Sequence, residues 1–94
     1  MDGLTEFRMQ LNALDAELIE LLGKRIAICR EVACFKRERG IPVLQSARVE
    51  EVKERCAGIA LRHQVDPSFV RKLYTLIIDE TCRVEDEIID AEYS

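Results

Sequence analysis

Arg25 stands in the middle of an apolar series. Phe7, Leu11, Leu14, Leu18 and Leu21 recur at alternating spacings of four and three, Arg25 takes the next place, and Ile28, Val32 and Phe35 resume the stripe. Apolar residues at that spacing share one helix face, so the series predicts an amphipathic helix with a permanent cation in its buried line. Lys36 follows eleven residues later, close to three full turns, and projects from nearly the same side. The two Cα atoms lie about 16 Å apart along such an axis. Two long cationic side chains can close on a small anion across that distance. For either cation alone the ordinary alternative is a stem along the edge of the core and a head in water.

A second stripe, Val70, Leu73, Ile77, Val84 and Ile88, has the same periodicity, with Thr81 between Ile77 and Val84 and Glu85 beside Val84. A hydroxyl and a carboxyl therefore lie on or beside an inward face. Buried without partners, such groups cost about 1–3 kcal/mol each. Cations on one inward face and a hydroxyl and carboxyl on another point to a polar pocket inside a helical bundle. Arg48 opens a further helix, where its charge and free backbone N–H groups can both meet an anion. Taken alone it is equally well a solvated arginine in a first turn. Arg8 lies about 25 Å along its helix from Arg25. Within one chain the two cannot share a site, but an antiparallel second copy would carry Arg8 to the Arg25 pocket of its partner.

The elements that must position these residues follow from the breaks. "RGIPVLQS" carries Gly40 and Pro42, and "HQVDPSFV" offers Asp66 as N-cap with Pro67 at the first helical position. Three helices are expected, over 4–38, 46–63 and 67–90, in a single all-α domain spanning 1–94. No segment alternates with a period of two, so no strand is expected. A first helix of about 35 residues is about 50 Å long, whereas a compact domain of this size has a radius of gyration of about 12 Å. Its apolar seam needs another long helix, and a second copy of the chain supplies one in an intertwined helical homodimer. A plain antiparallel coiled coil with no site is the simpler alternative.

The net charge of −4 argues against nucleic acid as a partner but permits a small anion held by a local cluster of cations. The apolar runs are too short to cross a membrane, and "MDGLTEFRMQ" lacks the basic start and apolar core of a secretory signal, so a cytoplasmic protein is expected. Cys29, Cys34, Cys56 and Cys82 form no CxxC pair and have no histidine cluster nearby, which argues against a metal site. They are expected as small buried apolar residues, and His63 as a surface residue near a helix end.

With these residues in place, the chain resembles the all-helical class of chorismate mutases over about residues 4–90. The resemblance rests on "FRMQLNALDAELIELLGKRIAICREVACFK", "PVLQSARVEEV" and "LYTLIIDETCRVEDEII". The family pattern of Arg, a long gap, Arg, eleven residues to Lys, and Arg after a Pro-Val loop is met by Arg8, Arg25, Lys36 and Arg48. A Ser or Thr followed four residues on by Gln or Glu is met by Thr81 and Glu85.

The resemblance implies a domain-swapped homodimer with two sites, each built from one chain plus Arg8 of the other. It also implies a Claisen rearrangement of chorismate to prephenate, without cofactor or metal, in aromatic amino acid biosynthesis or a specialised pathway. In that setting Arg8 of the partner and Arg25 hold the two carboxylates. Lys36 and a protonated Glu85 donate to the ether oxygen, and Arg48 stabilises the charge developing nearby. Gln45, Val49 and Thr81 complete the substrate-binding set. Many members carry an acid where Gln45 stands and a Glu where Val49 stands, groups associated with the ring hydroxyl. Their replacement leaves open rearrangement of 4-amino-4-deoxychorismate and removal of pyruvate from isochorismate. The loop "GIPVLQSARVE" has the mutase length and favours a rearrangement, with chorismate ahead of the amino analogue. A reading from another class is a non-catalytic helical dimer acting as a regulatory module.

Overall fold

The computed structural model describes residues 3–90. Three helices account for them: α1 (Gly3–Arg39), α2 (Ser46–Arg62) and α3 (Pro67–Asp90). Among the described residues there is no strand, and each helix boundary falls within one residue of the expected one. Among the described residues no helix is long and apolar enough to cross a membrane.

The ends of the helices have local causes. Gly40 takes φ 67, and Ile41 N donates to Lys36 O at 3.0 Å, so α1 stops in a Schellman motif that needs a left-handed residue. The same motif closes α2 without a glycine. Gln64 adopts φ 60, and Val65 N donates to Ala60 O at 2.9 Å. Asp66 caps α3 as expected, its Oδ1 accepting from Ser68 N at 3.0 Å. The residue before α2, Gln45, makes no side-chain cap.

Helix α3 packs against both α1 and α2, while α1 and α2 do not pack on each other among the described residues. The gap between them is closed at the back by α3. The buried apolar residues are mostly small: Ala33, Val52, Ala57, Ala60, Val70 and Val84. Small side chains let the helices come close, but they leave a thin core. The chain is a rod of 57 × 27 × 15 Å with a radius of gyration of 16.9 Å, well above the compact expectation.

The α1 seam is open. Phe7, Leu11, Leu14 and Leu18 are each between 57% and 62% exposed. The face that α1 turns toward α3 is offset from that seam and carries Leu22, Ile26, Cys29 and Ala33, all partly or fully buried. On α3, Leu73 is 36% exposed although it belongs to the expected inward stripe, and Tyr74 is half-buried in its place. The four cysteines are half-buried free thiols, a correction to their expected full burial. They lie at the margins of packed faces in a chain that has few interior positions. His63 is exposed, as expected.

Candidate active site

Between α1, the 40–45 loop, α2 and α3 lies a cavity of about 570 Å³. That is the size of a small-molecule site. Seven of the eight residues expected to form a site line it: Arg25, Lys36, Gln45, Arg48, Val49, Thr81 and Glu85. Arg8 does not. It is exposed on the other half of α1.

From α1, Arg25 reaches across to α3, where its Nη1 donates to Thr81 Oγ1 at 3.0 Å. The Thr81 hydroxyl donates in turn to Ile77 O at 2.9 Å, which directs its lone pairs toward the guanidinium. Beneath the guanidinium lies the Tyr74 ring, 5.8 Å from Cζ to centroid, within cation–π range. The hydroxyl and the ring stand two turns apart on α3, so a single helix face fixes the cation from two sides. Cys29 Sγ is 3.9 Å from both Arg25 Nη1 and Thr81 Oγ1.

Lys36 and Glu85 form the other fixed pair. Lys36 Nζ donates to Glu85 Oε1 at 3.1 Å and to Val43 O at 2.9 Å, tying α1 to α3 and to the loop. The third N–H of the ammonium is left for another acceptor. Both side chains are largely removed from water. Arg48 is different: it is exposed, and its Nη1 pairs with Glu51 Oε2 on the outer side of α2. The cation is at the rim, held by a solvent-exposed pair.

Four cations and one carboxylate line the cavity, so its field is positive although the chain carries −4 overall. The fourth cation, Arg55, escaped the sequence reading. Its signal was present: Arg48, Val52 and Arg55 follow at four and three on one helix face. The walls come from Ile28, Val32, Val52 and Ile78. Ile28 and Val32 belong to the seam expected to face a second copy, and here they line the cavity.

Burial pushes the Cys82 thiol up, with the Glu85 and Asp86 carboxylates adding to the effect, so Cys82 is held as a neutral thiol. The Tyr74 phenol is also raised, first by burial and then by its hydrogen bond with Cys56, against the opposing pull of Arg25 and Arg55. Among the described residues no group of His, Cys, Asp and Glu could hold a metal ion. What the arrangement can do is bind an anion bearing more than one charge. It can then offer fixed donors to an oxygen that gains charge.

Residues 7–86 match the family model described as chorismate mutase type II. The chain is 41% identical over 88 residues to a 4-amino-4-deoxychorismate mutase of Streptomyces pristinaespiralis, covering 94% of this chain and 68% of that protein. It is 40% identical over 89 residues to a 4-amino-4-deoxychorismate mutase of Streptomyces venezuelae, covering 95% of this chain and 86% of that protein. A chorismate mutase of Methanocaldococcus jannaschii is 21% identical over 90 residues, covering 96% of this chain and 91% of that protein.

Proposed function

The chain belongs to the chorismate mutase type II family of isomerases, and we propose that its cavity binds a chorismate-type dianion and rearranges it without a cofactor. The reaction is a Claisen rearrangement. One ether C–O bond breaks, one C–C bond forms within the same molecule, and no group or proton leaves. The length of the 40–50 loop favours a rearrangement over removal of pyruvate, and chorismate to prephenate is its first form.

The observation that carries this reading is the pair of anchored cations, Arg25 on Thr81 at 3.0 Å and Lys36 on Glu85 at 3.1 Å, facing one cavity. Arginine forks grip carboxylates in two places, and Arg25 takes one carboxylate of the dianion. Holding the enolpyruvyl arm over the ring removes much of the entropic barrier. As the C–O bond lengthens ahead of C–C closure, the ether oxygen becomes negative. Lys36 donates to it with its free N–H, and Glu85, paired with Lys36 as a carboxylate, donates once it has taken up a proton, since a carboxylate has none to give. Arg48 leaves Glu51 and swings in from the rim to the developing charge. Lys36 is already in place and needs little reorganisation, whereas Arg48 must move.

Each chain is one domain in this reading, and two chains interlock. The exposed seam Phe7, Leu11, Leu14, Leu18 supports a second α1 lying along it, which would bring the partner chain's copy of Arg8 to the open end of the cavity for the second carboxylate.

A second reading concerns the ring substituent. The two Streptomyces relatives at 40–41% identity are named for 4-amino-4-deoxychorismate, and the cavity presents Gln45, whose amide oxygen can accept a hydrogen bond from a ring amine. On that support the 4-amino analogue is the more specific candidate for the natural substrate, and the mechanism is unchanged. The test is turnover of chorismate, 4-amino-4-deoxychorismate and isochorismate by the purified protein, with products identified by mass. A rearranged product from either of the first two fits the proposal, and their relative kcat/KM decides between them. Release of pyruvate from isochorismate alone, or no turnover of any of the three, overturns it.

A further inference from the structure

We infer that Arg55 is a substrate-binding residue of this cavity, gripping, beside Arg25, one carboxylate of the dianion, with Glu51 as its partner until the substrate arrives. The inference rests on the proposed mutase reading and adds to it a cation from α2.

Helix α2 turns a single face to the cavity, and Arg48, Val52 and Arg55 all line it. Arg55 closes that face, about 10 Å along the axis from Arg48. Its ion partner is weak. Arg55 Nε stands 3.9 Å from Glu51 Oε1, with both side chains more than half exposed. Glu51 does not line the cavity, and its other oxygen is taken by Arg48. One exposed carboxylate thus holds two cavity arginines. Such pairs contribute little and exchange readily, so a carboxylate entering the cavity can take over either arginine.

Arg25 from α1 and Arg55 from α2 both line the cavity, and the charges of both pull down the Tyr74 phenol of α3. Lys36 is tied to Glu85 and Val43, with its remaining N–H assigned to the ether oxygen, and Arg48 is assigned to the developing charge. Arg55 is then the group of the same chain placed to join Arg25 on a carboxylate. A purely structural role, an i,i+4 pair on the surface of α2, would not require it to line the cavity.

The experiment compares steady-state kinetics of the full-length parent with Arg55→Ala, Arg55→Lys, Glu51→Gln and Arg83→Ala. The substrate is whichever of chorismate and 4-amino-4-deoxychorismate the parent turns over. Arg83 lies on the outer face of α3, paired with Glu80 and Glu87, and controls for loss of one positive charge far from the cavity. Losing a charge-assisted fork raises KM about tenfold in Arg55→Ala, with kcat within about threefold of the parent. Lysine keeps the charge but not the fork, so Arg55→Lys raises KM about threefold. Glu51→Gln removes the competing carboxylate and lowers KM about twofold. A parental KM in Arg55→Ala overturns the inference while the mutase reading stands. An equal rise in Arg83→Ala also overturns it, since the effect would then be long-range steering. A parent that turns over neither substrate sinks the mutase reading and the inference together. If Arg55→Ala loses its helical circular dichroism, Arg55→Lys decides: a raised KM supports the role and a parental KM overturns it.

Discussion

Lys36 Nζ lies 3.1 Å from Glu85 Oε1, with the two side chains only 15% and 4% exposed. An ion pair withdrawn from water to this degree is costly to break from one side only. Removing one partner leaves the other charged and unpaired, and that is where the cost arises. Lys36→Met is therefore expected to destabilise the chain by about 3 kcal/mol. The double variant Lys36→Met/Glu85→Leu has no stranded charge and should recover most of that loss, while remaining inactive. Urea denaturation with parallel turnover assays separates the two effects. Full stability in the single variant would show that the pair is not buried in solution.

Glu85→Gln tests the proton on Glu85. A glutamine donates its N–H at any pH, whereas Glu85 donates only as the acid. Glu85→Gln should therefore keep most of kcat, whereas Glu85→Leu, which has no donor, should lose it about a hundredfold. Steady-state kinetics on both variants check this. Equal losses in the two would rule out a donated hydrogen bond at this position.

Thr81 orients Arg25, and two substitutions separate its hydroxyl from its shape. Thr81→Ser keeps the hydroxyl that accepts from Arg25 Nη1 and donates to Ile77 O. Thr81→Val keeps the shape and loses both bonds. The serine variant should stay within about twofold of parental kcat/KM. The valine variant should fall about tenfold, one misplaced fork being worth about 1.4 kcal/mol. Equal losses in the two variants would assign the effect to packing rather than orientation.

Helix boundaries were legible because each is written in local chemistry: Gly40 in the left-handed region, Asp66 with Pro67 at the start of α3. The end of α2 was legible from the loop that follows, although its left-handed residue is Gln64, a type that gives little warning. The site was legible where a polar side chain interrupts an apolar stripe, as at Arg25, Thr81 and Glu85. Arg55 interrupts no stripe; it shares a face with Arg48 and Val52 at spacings of four and three, and only the assembled helices show that this face lines the cavity. The cysteines and Leu73 were misjudged for one reason. Periodicity gives the side of a helix but not how much of that side the chain itself covers, and this chain leaves much of α1 and part of α3 uncovered.

That uncovered surface leads to the strongest test of assembly. Arg8 and Arg25 stand about 25 Å apart on α1, and Arg8 lines no part of the cavity of its own chain. If each site takes Arg8 from one copy and Arg25 from the other, Arg8→Ala and Arg25→Ala homodimers are both inactive for different reasons. In a mixed dimer one site carries both defects and the other carries neither. Random exchange makes half the dimers mixed, and half the sites in those are intact, so unfolding and refolding an equimolar mixture should restore about a quarter of parental activity. Far-UV circular dichroism of each variant checks that the helices persist, and sedimentation checks that a dimer re-forms. A refolded dimer without recovered activity would mean that Arg8 acts within its own chain or not at all.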